Sequence, residues 1–205
     1  MYVKNYINSI KLGMKNSVFQ SYSKKISSEL FFEKLVEVTK TVKDSNSRIF
    51  FFGNGASASF SNHMALDWSK NGGVMSFSLS DSSMLTALSN DYSFNKSFLE
   101  FYKMYSPKPN DLIVTTSSSG NSNNISKLLK YGNQNQIKTL AFSGLNESNF
   151  STKNSDLSIF VPCKTYGMVE CIHQIFHHLW LDKFMNIQEW NRKSSQNMDS
   201  KNFKI

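Results

Sequence analysis

The stretch Asp111–Asn124, DLIVTTSSSGNSNN, restricts the possible folds of this chain more than any other. A short apolar run, Leu112–Val114, passes directly into five consecutive hydroxyl residues, Thr115 to Ser119, followed by Gly120, Asn121 and Ser122. Ile125, Leu128 and Leu129 come next at helical spacing. A strand that ends in small polar residues and turns straight into a helix makes an anion site. The first turn of the helix has backbone N–H groups without intrahelical partners, and its dipole favours negative charge. Gly120 lets the backbone turn sharply and approach a ligand closely. A loop whose serines only cap a helix needs one or two hydroxyls. Five, with Gly-Asn-Ser behind them, favour phosphate. No Lys follows the glycine, so this is not a nucleotide P-loop.

The rest of the chain fits around that unit. Tyr6, Ile10 and Met14 predict a helix over 3–22, and Phe31, Leu35, Val38 and Val42 predict a second over 28–43. From residue 48 strands alternate with helices. Strands are expected at Ile49–Phe52, Val74–Phe77, Leu112–Val114, Lys138–Phe142 and Leu157–Val161. The last helix is expected over 168–186. Continuous apolar strands between helices imply a parallel sheet covered on both faces, with ligands beyond the carboxyl ends of the strands. The organisation expected is one domain, 1–190, with a helical pair at 1–46 ahead of a parallel α/β core at 47–190, and a loose polar tail at 191–205.

Composition excludes several functions. With 205 residues, 40 % hydrophobic and 19 % charged, the chain suits one soluble domain. No apolar run has membrane-spanning length, and the first residues, MYVKNYINSIKLG, have no signal-peptide apolar core. Two cysteines, Cys163 and Cys171, without a framework pattern fit a reducing cytoplasm. The net charge of +8 is spread over scattered lysines, which argues against a nucleic-acid surface and is compatible with an anionic small ligand.

Three further groups carry possible chemistry. Gly53-Asn54-Gly55-Ala56-Ser57-Ala58 fits the dinucleotide pattern G-x-G-x-x-A, but Val74–Leu79 lacks the acidic residue that would bind a ribose. Two loops closing on one small phosphorylated ligand is the better reading. His63 and Asp67 are four apart in the helix after the first loop, on one face, where they form either a surface pair or two ligands of one metal ion. Glu170, His173, His177 and His178 crowd the last helix; the first three share a face, and His178 is turned about 80° from Glu170. Packed core histidines, a divalent metal site and an acid–base pair near neutral pH all fit that group.

These residues resemble the SIS (sugar isomerase) domain, and within it the phosphoheptose isomerase family. The matching stretches are FFGNGASASFSNHMALDWSKN, LSNDYSFN, TTSSSGNSNNISKLLK and VECIHQIFHHL, in order over about residues 1–186. The resemblance implies a three-layer α/β sandwich with a five-stranded parallel sheet, N-terminal helices used in assembly, and a homotetramer with sites shared between subunits. It implies substrate contacts at Asn54, Gly55, Ala56, Asn90, Asp91, Ser117, Ser118, Ser119 and Ser122. It implies Zn²⁺ ligands at His63, Asp67, Glu170 and His178, choosing His178 where helix geometry alone favours His177. The catalytic groups would be Asp67, Glu170 and His178, interconverting sedoheptulose 7-phosphate and D-glycero-D-manno-heptose 7-phosphate for surface polysaccharide. The departures lie in the chemistry. The family's catalytic Glu is Asp67, its Gln is Glu170, and its Asp and Arg just before that Gln fall at Gly167 and Met168. Those departures leave a second expectation, a non-catalytic SIS module that binds a phosphosugar or a partner protein.

Overall fold

The computed structural model describes residues 1–191, so the expected tail lies almost wholly outside the described residues. Strands β1 (Val18–Ser21), β2 (Lys24–Ile26), β3 (Ile49–Gly53), β4 (Ser76–Ser78), β5 (Leu112–Ser117), β6 (Lys138–Gly144) and β7 (Leu157–Val161) form one sheet of seven strands, ordered β2-β1-β7-β6-β5-β3-β4. From β7 to β4 the pairing is parallel, which gives the five strands expected. Helices α1 (Tyr2–Lys15), α2 (Ser28–Asp44), α3 (Ala56–Asp67), α4 (Ser82–Tyr92), α5 (Ser97–Met104), α6 (Asn123–Gln134), α7 (Phe150–Lys153) and α8 (Tyr166–Met185) surround it.

The strand period splits the core in two. Successive side chains on a strand point to opposite faces. Ile49 and Phe51 of β3 therefore join Phe31, Leu35, Met64, Trp68, Ile172 and Trp180 on the side of α2, α3 and α8. Phe50 and Phe52 join Phe98, Phe101, Tyr102, Ile125 and Leu128 on the side of α5 and α6. Both faces are buried, so Ile49–Phe52 of β3 reads as an unbroken apolar run.

One expectation needs correction. The first helix ends at Lys15, not near residue 22, and a β-hairpin follows it. β1 pairs antiparallel with β7, Phe19 opposite Ile159, and extends the sheet to seven strands. Phe19 accounts for the change. Its ring packs 5.3–5.8 Å from those of Phe31, Phe32 and Phe176, a site that only an extended segment along β7 reaches. Tyr22 and Ser23 close the hairpin with φ of 49° and 63°.

A buried ion pair fixes the two strands that carry the candidate site. Arg48 precedes β3 and Asp111 precedes β5. The Arg48 backbone N–H, Nε and Nη2 donate to the Asp111 carboxylate at 3.0, 3.2 and 2.8 Å. Such a pair adds little net stability but fixes which groups can face each other. Gly53 then stands beside Thr116, so both loops leave the sheet side by side.

Candidate active site

The first loop is built on Gly55. Its φ of 57° and ψ of −127° lie where side chains are disfavoured, and a Cβ built there would meet nothing within 4 Å. The loop backbone at the start of α3 therefore faces open space. Asn54 ties this loop to the second one. Asn54 Nδ2 donates to Asn124 Oδ1 at 3.1 Å, and Asn124 Nδ2 donates back to Asn54 Oδ1 at 2.9 Å. Asn124 also accepts from the Ile125 N–H in the first turn of α6. Sequence reasoning passed over Asn124; the available signal was an Asn inside the first glycine-bearing loop and another just after the second.

The hydroxyl run divides into two parts. Thr115 and Thr116 are structural. Thr115 donates to Leu140 O at 3.5 Å, and Thr116 Oγ1 lies 3.0 Å from His177 Nε2. Ser117 and Ser119 accept from the backbone N–H of Gly120 and Asn121, which shapes the turn. Ser118 Oγ is buried and has no hydrogen-bond partner. Ser122 stands at the N-cap of α6 with no cap bond from its side chain. A buried hydroxyl without a partner is uncommon, and it suits a loop whose acceptor arrives with a ligand.

His63, Asp67 and His178 come together across α3 and α8, offering ligand atoms that all lie within 4.8 Å of one another. His63 Nε2 is 3.2 Å from Asp67 Oδ2, and the rings of His63 and His178 are 5.3 Å apart. Asn71 Nδ2 donates to Asp67 Oδ1 at 3.4 Å. Local structure explains the approach. Directly after Asp67 the helix widens into a π turn, Trp68–Gly72, a distortion common near functional sites. That turn buries Trp68 against Trp180 and Phe184 of α8, with ring centroids at 4.4 and 5.1 Å. Two imidazole nitrogens and a carboxylate oxygen are the donor set of a divalent zinc-type ion, so these residues fit such a group.

The other histidines belong to the core. His177 stacks on Phe142 at 3.9 Å, and His173 Nε2 lies 3.0 Å from Ser143 O. Burial holds both rings neutral, pushing His173 from 6.5 down to about 4 and His177 well below its ordinary value. His177 contacts Thr116 at the root of the hydroxyl loop, and the next residue, turned by about 100°, is His178 of the cluster with His63 and Asp67. Glu170 lies two helical turns before His178 and outside that cluster. Asn90 and Asp91 end α4, exposed, with Asn90 Nδ2 donating to Asp91 Oδ1 at 3.0 Å.

The buried histidines give an expected pH dependence. Below pH 6.5 an unfolded His173 takes a proton that the folded one refuses until about 4. Stability is thus fully present above about 6.5 and falls as the pH drops towards 4, by on the order of 3 kcal/mol for this ring. His177 acts in the same direction. Urea unfolding followed at pH 7.5, 6 and 5 checks this. The decline should be shallower in His173→Gln, whose amide still donates to Ser143 O, and an equal decline in both proteins would count against it.

Comparison with known proteins decides between an enzyme and other users of such a loop. Residues 16–144 match the SIS domain family. The phosphoheptose isomerase of Helicobacter pylori strain Shi470 is 30 % identical over 145 residues, covering 68 % of this chain and 74 % of that protein. The chain belongs to the SIS-domain phosphoheptose isomerase family. The phosphoheptose isomerase of Maridesulfovibrio salexigens is 28 % identical over 191 residues, 85 % of each chain. The structure of the phosphoheptose isomerase of Neisseria gonorrhoeae superposes with a TM-score of 0.73, covering 89 % of this chain and 97 % of that one at 22 % identity, which shows the shared fold. Membership in this family makes the chain a phosphosugar isomerase, an enzyme that interconverts an aldose and a ketose.

Proposed function

We propose that this phosphoheptose isomerase family member interconverts sedoheptulose 7-phosphate and D-glycero-D-manno-heptose 7-phosphate, through an enediol, for surface polysaccharide. The observation that carries the reading is the joining of His63 and Asp67 to His178 across α3 and α8, beside the hydroxyl loop of β5. A module that only bound a phosphosugar would need no such group.

In this reading the phosphate sits at the start of α6, on Ser118, Ser119 and Ser122, with Ser117 shaping the turn beneath it. Asn54, Gly55 and Ala56 line the sugar chain with backbone and amide groups, and Asn90 and Asp91 hold its hydroxyls. Isomerisation moves one proton between neighbouring carbons and another between their oxygens. Asp67 takes the carbon proton, or Glu170 does if it reaches the site, and His178 manages the oxygen proton. A Zn²⁺ held by His63, Asp67 and His178 would polarise the sugar carbonyl when bound. The reaction would take place in the cytoplasm; among the described residues no helix is long and apolar enough to cross a membrane.

The direct test adds sedoheptulose 7-phosphate and follows the aldose with and without Zn²⁺. Turnover by the wild type is expected, and no turnover of any heptulose phosphate would sink the assignment. Ser119→Ala with Ser122→Ala is expected to weaken phosphosugar binding by about a hundredfold or more, since each hydroxyl bond to a charged group is worth about 1.5–3 kcal/mol and two are lost. Unchanged affinity by calorimetry would remove the phosphate from this loop.

Assembly follows from the helices outside the sheet. Tyr2, Val3, Ile7 and Leu12 of α1 are exposed. Beside them Met14, Phe32, Phe60, Ile175, Leu179 and Trp190 line an open groove of about 1200 Å³ that reaches His178. A homotetramer that covers these apolar surfaces with further copies is expected, and a clean monomer in light scattering at micromolar concentration would contradict it.

A further inference from the structure

Gln174 stands one turn before His178 on α8, at a position that neither helix periodicity nor the family match selects. Its Nε2 lies 2.8 Å from His178 Nε2 and 4.0 Å from Met64 Sδ. Its carbonyl oxygen, Oε1, is buried with no hydrogen-bond partner. An unpaired amide oxygen away from water is unfavourable, and it stands beside a candidate metal ligand. The oxygen and nitrogen of an amide exchange places by rotation about the last side-chain bond, and the surrounding partners decide which way it points. A cation among His63, Asp67 and His178 would repel the N–H and attract the oxygen. Ligand atoms about 2.0–2.1 Å from one tetrahedral ion stand roughly 3.3–3.4 Å from each other. Once the amide is turned, Oε1 takes the place of Nε2, 2.8 Å from His178 Nε2, which is a small side-chain shift from that spacing.

We propose that Gln174, through Oε1, is the fourth protein ligand of a divalent cation held by His63, Asp67 and His178. The inference rests on reading that cluster as a metal site. Glu170, the residue that the family match selects, lies about 12 Å from His178 along the helix axis and outside the cluster. Within one chain it stands apart from such an ion, and a second copy of the chain could bring another Glu170 to it. The choice of ligand has a chemical consequence. Two neutral imidazoles, one carboxylate and a neutral amide leave net positive charge on a Zn²⁺ site, whereas a second carboxylate cancels it. A site that stays positive stabilises negative charge developing on a sugar oxygen.

Metal binding by the full chain tests this without reference to turnover. Zn²⁺ is titrated against a chromophoric chelator, and Co²⁺ is added separately to record its visible absorption. Gln174→Leu is expected to weaken Zn²⁺ binding by at least about 10-fold, the low end of what losing even an outer partner costs, and to alter the Co²⁺ spectrum. Gln174→Glu, which keeps an oxygen at the same reach, is expected to bind at least as tightly as the wild type. Glu170→Gln is expected to leave both readouts unchanged. Should Gln174→Leu not fold, Gln174→Asn draws the oxygen back by one bond and is expected to show the same weakening. Wild-type affinity and spectrum in a folded Gln174→Leu or Gln174→Asn overturn the proposal, and a loss in Glu170→Gln instead assigns the fourth position to Glu170 of a second copy. A wild type that binds neither cation more tightly than His63→Ala overturns the metal reading of the cluster, and this proposal with it.

Discussion

Asp67→Asn is expected to lower turnover by about 10²–10⁴-fold, the range that a positioned acid or base contributes, with an unfolding temperature close to that of the wild type. The fold should survive because Asn has nearly the same shape, and because Trp68 rather than Asp67 anchors the end of α3 to α8. What disappears is the charge, and with it both the proposed base and an anionic ligand for the proposed metal ion. Glu170→Gln is the informative partner, because it restores the residue the family carries. Asp67 stands in the cluster with His63 and His178, and Glu170 stands two turns away, so Glu170→Gln is expected to change turnover by less than about tenfold, below the range of a catalytic acid or base. Steady-state kinetics on both folded variants settle which carboxylate moves the proton. If Glu170→Gln abolishes turnover while Asp67→Asn keeps most of it, the role belongs to Glu170.

The parallel core was legible because both faces of the sheet are buried. That burial covers every position of β3, β5 and β7 and all but Lys138 of β6, and it leaves consecutive apolar residues such as Ile49–Phe52 and Leu112–Val114 where a solvent-facing strand would alternate. The hairpin β1–β2 was not legible. Its turn is Tyr22-Ser23, with positive φ at both residues, and nothing in that pair announces the geometry as Asn-Gly would. Tyr6, Ile10 and Met14 also set a helical period that ran past its true end at Lys15. In the candidate site, helix geometry alone favoured His177 with Glu170 and His173. The structure buries His173 and His177 in the core and gives His178 to the cluster. Angular spacing on a helix could not make that distinction, because it depends on which neighbours press on each side: β5 and β6 against His177, α3 against His178. The family resemblance selects His178, the histidine that the structure places beside His63 and Asp67. Gln174 was invisible to both readings. A glutamine on a half-buried helix face has no signature until its unpaired oxygen is seen.

Gly120→Ala is expected to disable the phosphate loop and destabilise the fold together. The sequence suggested that Gly120 leaves room for a ligand, but the structure gives a different neighbour. Its φ is 64°, and a Cβ there would lie 2.1 Å from Asn149 Oδ1 and 2.3 Å from Asn149 Cγ. Asn149 has nowhere to go. Its Oδ1 accepts from the Thr152 N–H at 2.9 Å, and its Nδ2 donates to Asn146 O at 2.7 Å and Ser143 Oγ at 3.2 Å. Gly120 itself is held from two sides, donating to Ser117 O and accepting from the N–H and hydroxyl of Ser151. An added methyl therefore has to move the loop rather than the asparagine. A left-handed residue with a Cβ costs about 1–2 kcal/mol, and overpacking a closed site adds about 1–3 kcal/mol. Together they predict a loss of roughly 2–5 kcal/mol in urea unfolding. Because the loop moves with Ser118, Ser119 and Ser122, phosphosugar affinity should fall further than in Ser119→Ala with Ser122→Ala. Trimming Asn149 separates the two effects. Adding Asn149→Ala to Gly120→Ala removes the two tightest contacts and leaves only the Asn149 Cβ at 2.8 Å, so it should recover part of the affinity even though it also deletes the α7 cap. A Gly120→Ala protein with wild-type stability and wild-type phosphosugar affinity would show that the contact with Asn149 does not hold the loop in place.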